Sequence, residues 1–142
     1  LRIMNSKYKK SELGSVVPTY LPAGVPVQIE INLYDSAGPQ NISHVELYLN
    51  KENSKILNDL SETVIIYDQS SPNALYDKNG LVDSYTIIPT MKNSKAYFLF
   101  QVTFKKQFPL SDMVFRAWNS QRQYADVYVN DALAVTASGI GS

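Results

Sequence analysis

From residue 27 to residue 50 the chain alternates apolar and polar positions in two runs, V-Q-I-E-I-N-L-Y and H-V-E-L-Y-L-N, around a loop rich in Gly, Pro, Ser and Asn. A period of two marks a strand with one face against a core, because successive side chains point to opposite faces. Val27, Ile29, Ile31 and Leu33 therefore make one core face, and Val45, Leu47 and Leu49 make another. Gln28, Glu30, Asn32 and Tyr34 turn outward, as do His44, Glu46 and Tyr48. Closed as a simple hairpin about Gly38, the two runs would set Glu30 beside Glu46, and facing like charges are destabilising. The pattern favours strands in two different sheets, joined by a loop that crosses between them.

The same pattern continues along the chain. Residues 1–14 lack a period and carry Arg2, Lys7, Lys9 and Lys10; they are read as an extended arm, with a first strand as the alternative. Residues 15–20 form a short strand confined to a sheet edge by Pro18, which has no N–H to give a ladder. L-P-A-G-V-P then turns the chain. Residues 51–61 are polar and form a surface crossing with room for one helical turn. T-V-I-I-Y-D (63–68) has strand composition, and residues 69–80 carry turn chemistry, with Asn79-Gly80 suited to a left-handed turn.

A further strand runs over 83–88, ended by Pro89, and M-K-N-S-K turns the chain into the longest clean alternation, Ala96, Phe98, Phe100, Val102 and Phe104, which should sit centrally. F-P-L-S-D is a corner. Met113, Phe115 and Ala117 face inward on the next strand, leaving Arg116 and Trp118 outward. The last strand spans 124–135 with a bulge at Asn130-Asp131, where the alternation slips by one. Seven to nine strands at intervals of 8 to 12 residues, without helical periodicity, predict an all-β, immunoglobulin-like β-sandwich. The expected division is an arm over 1–14, the sandwich over 15–136 and a flexible tail over 137–142.

The chain's 142 residues suit one domain with a real core. Lys plus Arg and Asp plus Glu number 13 each, without long blocks of one sign, which argues against nucleic acid and anionic membrane as partners. No cysteine is present, so neither a disulfide framework nor a thiolate ligand or nucleophile is available. With a single histidine, that also removes a cupredoxin-like copper site. No apolar run reaches the roughly 20 residues that span a bilayer, and the start at Leu1 rather than Met is read as a processed or excised chain.

Several blocks carry a resemblance: S-A-G-P-Q-N-I-S-H-V-E-L-Y-L-N, then I-I-Y-D, D-K-N-G-L-V, V-T-F-K-K, S-D-M-V-F-R-A-W-N-S and D-V-Y-V-N-D-A. Together, over about residues 18–135, they resemble an immunoglobulin-like domain that recurs in exported and cell-surface proteins of ammonia-oxidising archaea and their relatives. The resemblance implies an extracellular or cell-surface location and a structural or adhesive role, with no catalytic residues to carry over. The chain departs from that family in its last strand, where Asp131-Ala132 leads into Leu133-Ala134-Val135 instead of a Trp-containing strand.

Candidate chemistry is sparse, and each feature has a plain structural reading beside it. Asn41-Ile42-Ser43 is a formal N-glycosylation acceptor, making Asn41 a candidate glycosylation site conditional on export. His44 and Glu46, at i and i+2 on one strand face, are close enough to share a metal ion, but a third ligand is not evident and a surface role explains them. Asp77, Asn79 and Asp83 around Gly80 offer oxygen ligands of the kind calcium takes without matching a calcium-loop pattern, so a turn is the default. Ser, His and Asp all occur, but no G-x-S-x-G elbow positions a nucleophile. Arg116, Trp118, Arg122, Tyr124 and Tyr128 form a candidate contact patch for a neighbouring subunit or a sugar.

The expected function is therefore non-enzymatic, without catalytic residues, cofactor or metal. It is a structural or adhesive envelope module acting through protein–protein contacts, either in a larger surface protein or as a filament subunit whose arm pairs with a neighbour's sheet edge. A carbohydrate- or calcium-binding recognition domain is the alternative.

Overall fold

The computed structural model describes residues 2–10, 19–51 and 63–137. The expectations for residues 11–18, the crossing at 52–61 and the tail beyond 137 lie outside the described residues. The strands are β1 (Arg2–Lys10), β2 (Thr19–Pro22), β3 (Val27–Tyr34), β4 (Ile42–Lys51), β5 (Thr63–Asp68), β6 (Ser71–Asp77), β7 (Val82–Lys92), β8 (Lys95–Phe104), β9 (Phe108–Asn119) and β10 (Tyr124–Thr136), with one 3-10 turn at Pro39–Asn41. Among the described residues no helix is long and apolar enough to cross a membrane.

These strands make two sheets, one ordered β1-β3-β8-β7 and the other β2-β10-β9-β4-β5-β6. Their order is that of an immunoglobulin-like sandwich in which two further strands, β5 and β6, extend the sheet that holds β4, β9 and β10. β3 and β4 fall in different sheets, so Glu30 and Glu46 are kept apart, as the like-charge argument requires. The described part of the N-terminal arm, β1, lies antiparallel along β3 of its own chain, with Lys10 opposite Val27. β2 belongs to the other sheet and runs parallel to β10, from Thr19 beside Leu133 to Pro22 beside Thr136.

The inward faces are those the alternation indicates. Val27, Ile29, Ile31 and Leu33 meet Val45, Leu47 and Leu49 across the sandwich, with Phe98, Phe100 and Phe104 of β8 and Phe115 of β9 between them, all essentially without solvent contact. Ring pairs lock the layers: Phe100 lies 6.0 Å from Phe115, and Phe104 lies 5.2 Å from Phe108. Burying each such ring stabilises the fold by about 1.5–3 kcal/mol.

Among the described residues there are ten strands, against an expectation of seven to nine. The additional one is β6, whose S-S-P-N opening looks like a turn. It is a sheet edge with its first three residues exposed, so no alternation marks it and Pro72 costs no ladder bond. Edge position likewise lets β7 continue past Pro89 to Lys92, and the corner at 108–112 is the first part of β9. The outward face of β4 is also drier than expected: Tyr48 and Glu46 are buried. Val64 and Ile66 of β5, Val114 of β9 and Ala74 of β6 flank Tyr48 in a second, smaller apolar cluster on that side of the sheet.

Candidate contact face and cleft

Pairing in the six-stranded sheet sets its outward side chains in rows. Tyr124, Trp118, His44 and Asp68 occupy one row across β10, β9, β4 and β5. The next is Asp126, Arg116, Glu46 and Ile66, and the third is Tyr128, Val114, Tyr48 and Val64. The register thus converts residues far apart in sequence into one aromatic and charged surface.

Arg116 is its centre. Its Nε and Nη2 donate to the two carboxylate oxygens of Asp126 at 2.7 and 2.8 Å, a bidentate pair with both side chains largely covered. The guanidinium carbon lies 5.3 Å from the Tyr124 ring centre and 5.9 Å from that of Trp118, within cation–π range. The hydrogen bonds and charge of Asp126 raise the pKa of Arg116 despite partial burial, so it stays charged. Tyr124 and Tyr128 remain 62% and 44% exposed.

His44 lies between two carboxylates. Its Nδ1 is 2.9 Å from Asp68 Oδ2 and its Nε2 is 3.1 Å from Glu46 Oε2, while Glu46 Oε1 accepts the Tyr48 hydroxyl at 2.8 Å. Trp118 packs edge-on against the imidazole at 4.8 Å. Burial alone would lower the histidine pKa, but the hydrogen bonds and charges of Glu46 and Asp68 outweigh it and raise the value above 6.5. The histidine, followed by the Ser70 N–H, in turn lowers the pKa of Asp68.

Next to this triad is an open cleft of about 430 Å³, lined by Trp118, His44, Asp68 and Arg122 together with Ser43, Asn119 and Ser120. The β9–β10 turn that carries Arg122 is fixed by Asn119, whose Oδ1 accepts the backbone N–H of Gln121 and Gln123. Asn119 Nδ2 donates to Asp35 across the sandwich at 2.8 Å.

This geometry sorts the candidates. Arg116, Trp118, Tyr124 and Tyr128 share one face, whereas Arg122 sits at the turn and belongs to the cleft. The two His44 nitrogens face carboxylates on opposite sides of the ring, so no single point is shared by the three groups. No cluster of three or more His, Asp or Glu suited to a metal ion occurs among the described residues. Ser43 and Ser120 line the same cleft, but Nδ1 faces Asp68 and Nε2 faces Glu46, so neither ring nitrogen is directed at a hydroxyl.

Asp77 is consumed by its own loop: it accepts from Thr63 Oγ1 and from the backbone N–H of Leu81 and Val82. Asn41 Nδ2 donates to Asp35 and Gln121, and its Oδ1 accepts the Ser120 hydroxyl. A glycan on Asn41 would use one of those N–H groups. Asp68, Asp126 and Tyr48 were not singled out in the sequence. Asp126 was findable, since alternation places it between Tyr124 and Tyr128; Asp68 is joined to His44 only by strand pairing.

A scan against protein-family models gives no match, and a search of curated proteins gives no significant match.

Proposed function

We propose that this chain is a non-catalytic immunoglobulin-like module that acts through protein–protein contacts made by the outer face of its six-stranded sheet. In this reading it is a structural or adhesive part of an extracellular or cell-surface assembly, of the kind its resemblance to archaeal surface domains implies. One observation carries the proposal: Tyr124, Tyr128 and Trp118 surround the Arg116–Asp126 pair on a surface of paired β-strands. Aromatic residues and Arg are the side chains that anchor protein interfaces, and here the guanidinium is already held in place, which lowers the ordering cost of docking.

Light scattering over a concentration series on the native chain and on a Tyr124→Ser, Tyr128→Ser double variant tests the contact. Both side chains are exposed, so the variant keeps its fold, and self-association should weaken at least tenfold. Equal association by both proteins would remove the face from consideration.

The cleft beside Trp118 favours a second reading, recognition of a glycan, because it combines an aromatic wall with the hydroxyls of Ser43 and Ser120 and the charges of Asp68 and Arg122. Retention of a sugar on a glycan array by the native chain, lost in Trp118→Ala, would select it.

A further inference from the structure

We propose that His44 is a proton-operated latch that joins β4 to β5 beside the cleft. In the imidazolium form it donates to Glu46 and Asp68 together, and when the proton leaves it keeps Glu46 and lets Asp68 go. The argument starts from the ring's two neighbours. Both nitrogens lie within 3.1 Å of a carboxylate oxygen, and an ionised carboxylate only accepts, so both nitrogens must carry hydrogen. That is the charged ring. Neutral imidazole has one N–H, and its other nitrogen would turn a lone pair toward a carboxylate.

Which partner is lost follows from burial. The Glu46 side chain is 10% exposed and has Tyr48 as its other donor, whereas Asp68 is 34% exposed and can exchange the imidazole for water. The remaining hydrogen therefore stays on Nε2, facing Glu46. Asp68 keeps the Ser70 N–H on Oδ1 and swings its other oxygen out, widening the cleft it lines.

The charged groups around the ring agree. Glu46 approaches from β4 and Asp68 from β5, Arg116 of β9 stands opposite Glu46, Asp126 of β10 pairs with Arg116, and Arg122 lines the cleft. With His44 charged, three cations offset three carboxylates. Without its proton the surface carries one excess negative charge, which disfavours stacking two copies of it face to face. This consequence for association rests on the contact reading above, while the latch itself does not.

The chain has a single histidine, so one imidazole signal reports the latch in the intact protein by proton and nitrogen NMR. The expected result is a pKa above the ordinary 6.5, an Nε2–H tautomer once the proton is gone, and a lower pKa in Asp68→Asn and in Glu46→Gln. A titration at or below the ordinary value, an Nδ1–H tautomer, or a pKa indifferent to both substitutions overturns the latch. Light scattering on either side of the transition then separates the two ideas. Association that weakens above the transition supports regulation. Association indifferent to pH overturns regulation but not the contact face, and an absence of association at every pH, with His44 titrating as stated, overturns the contact face but not the latch.

Discussion

Asp35 ties the β3–β4 loop to the β9–β10 turn, and its replacement by Asn should reveal how much of the sandwich's stability that tie provides. The carboxylate is 3% exposed and accepts from Asn119 Nδ2 at 2.8 Å, from Asn41 Nδ2 at 3.0 Å and from the backbone N–H of Ala37 at 2.9 Å. Burial alone would raise its pKa, but these donors outweigh burial and lower it from 3.8 to about 2. At 1.36 kcal/mol per pKa unit, that shift corresponds to roughly 2 kcal/mol of folding stability carried by the ionised form.

The sign follows from the depression. The unfolded chain takes up the proton first as pH falls, so the contribution is complete above 3.8 and disappears as pH drops through about 2. Near pH 3 about 1 kcal/mol of it should already be gone. Urea unfolding followed by the fluorescence of the single tryptophan, Trp118, at pH 7 and pH 3 measures this in native chain and Asp35→Asn. The gap between the two should narrow by about 1 kcal/mol at the lower pH; a gap that stays constant or widens would refute the assignment. Because Asn119 also shapes the turn beside Trp118, the same variant should loosen the cleft.

Ser94 adopts φ 69° in the two-residue turn between β7 and β8, after Asn93 at 52°, and Ser94→Gly should raise stability by about 0.5–1 kcal/mol in thermal unfolding, since such turns prefer Asn-Gly. Arg116→Met should cost about 1–2 kcal/mol in urea unfolding by leaving the largely covered Asp126 carboxylate without its cation. In Asp126→Asn the same Arg substitution should cost less, and additive losses would show that the pair is not coupled.

The core faces and sheet assignment were legible because they rest on local periodicity: a strand with one wet face announces itself, and Glu30 against Glu46 even separated β3 and β4 into different sheets. β6 was not legible, because an exposed edge strand buries too little to alternate and Pro72 imitates a turn. The buried outer face of β4 was written indirectly in T-V-I-I-Y-D, whose consecutive apolar residues face a core on both sides. The patch residues on β9 and β10 came from the same alternation, but the His44 triad depends on which strand lies beside β4. Strand neighbours are set by long-range pairing, and nothing local in I-S-H-V-E-L points to Asp68.

The parallel pairing of β2 with β10 has a mechanical consequence. Because the two strands run the same way, a pull that drags the start of β2 and the end of β10 apart loads their ladder lengthwise. Thr19, Tyr20, Leu21 and Pro22 stand beside Leu133, Ala134, Val135 and Thr136, and the Ala23 N–H bonds the Thr136 carbonyl at 3.0 Å. Those links share the force and must yield together rather than peel one at a time. A module strung between a surface and a neighbour would hold under tension that unzips an antiparallel end strand.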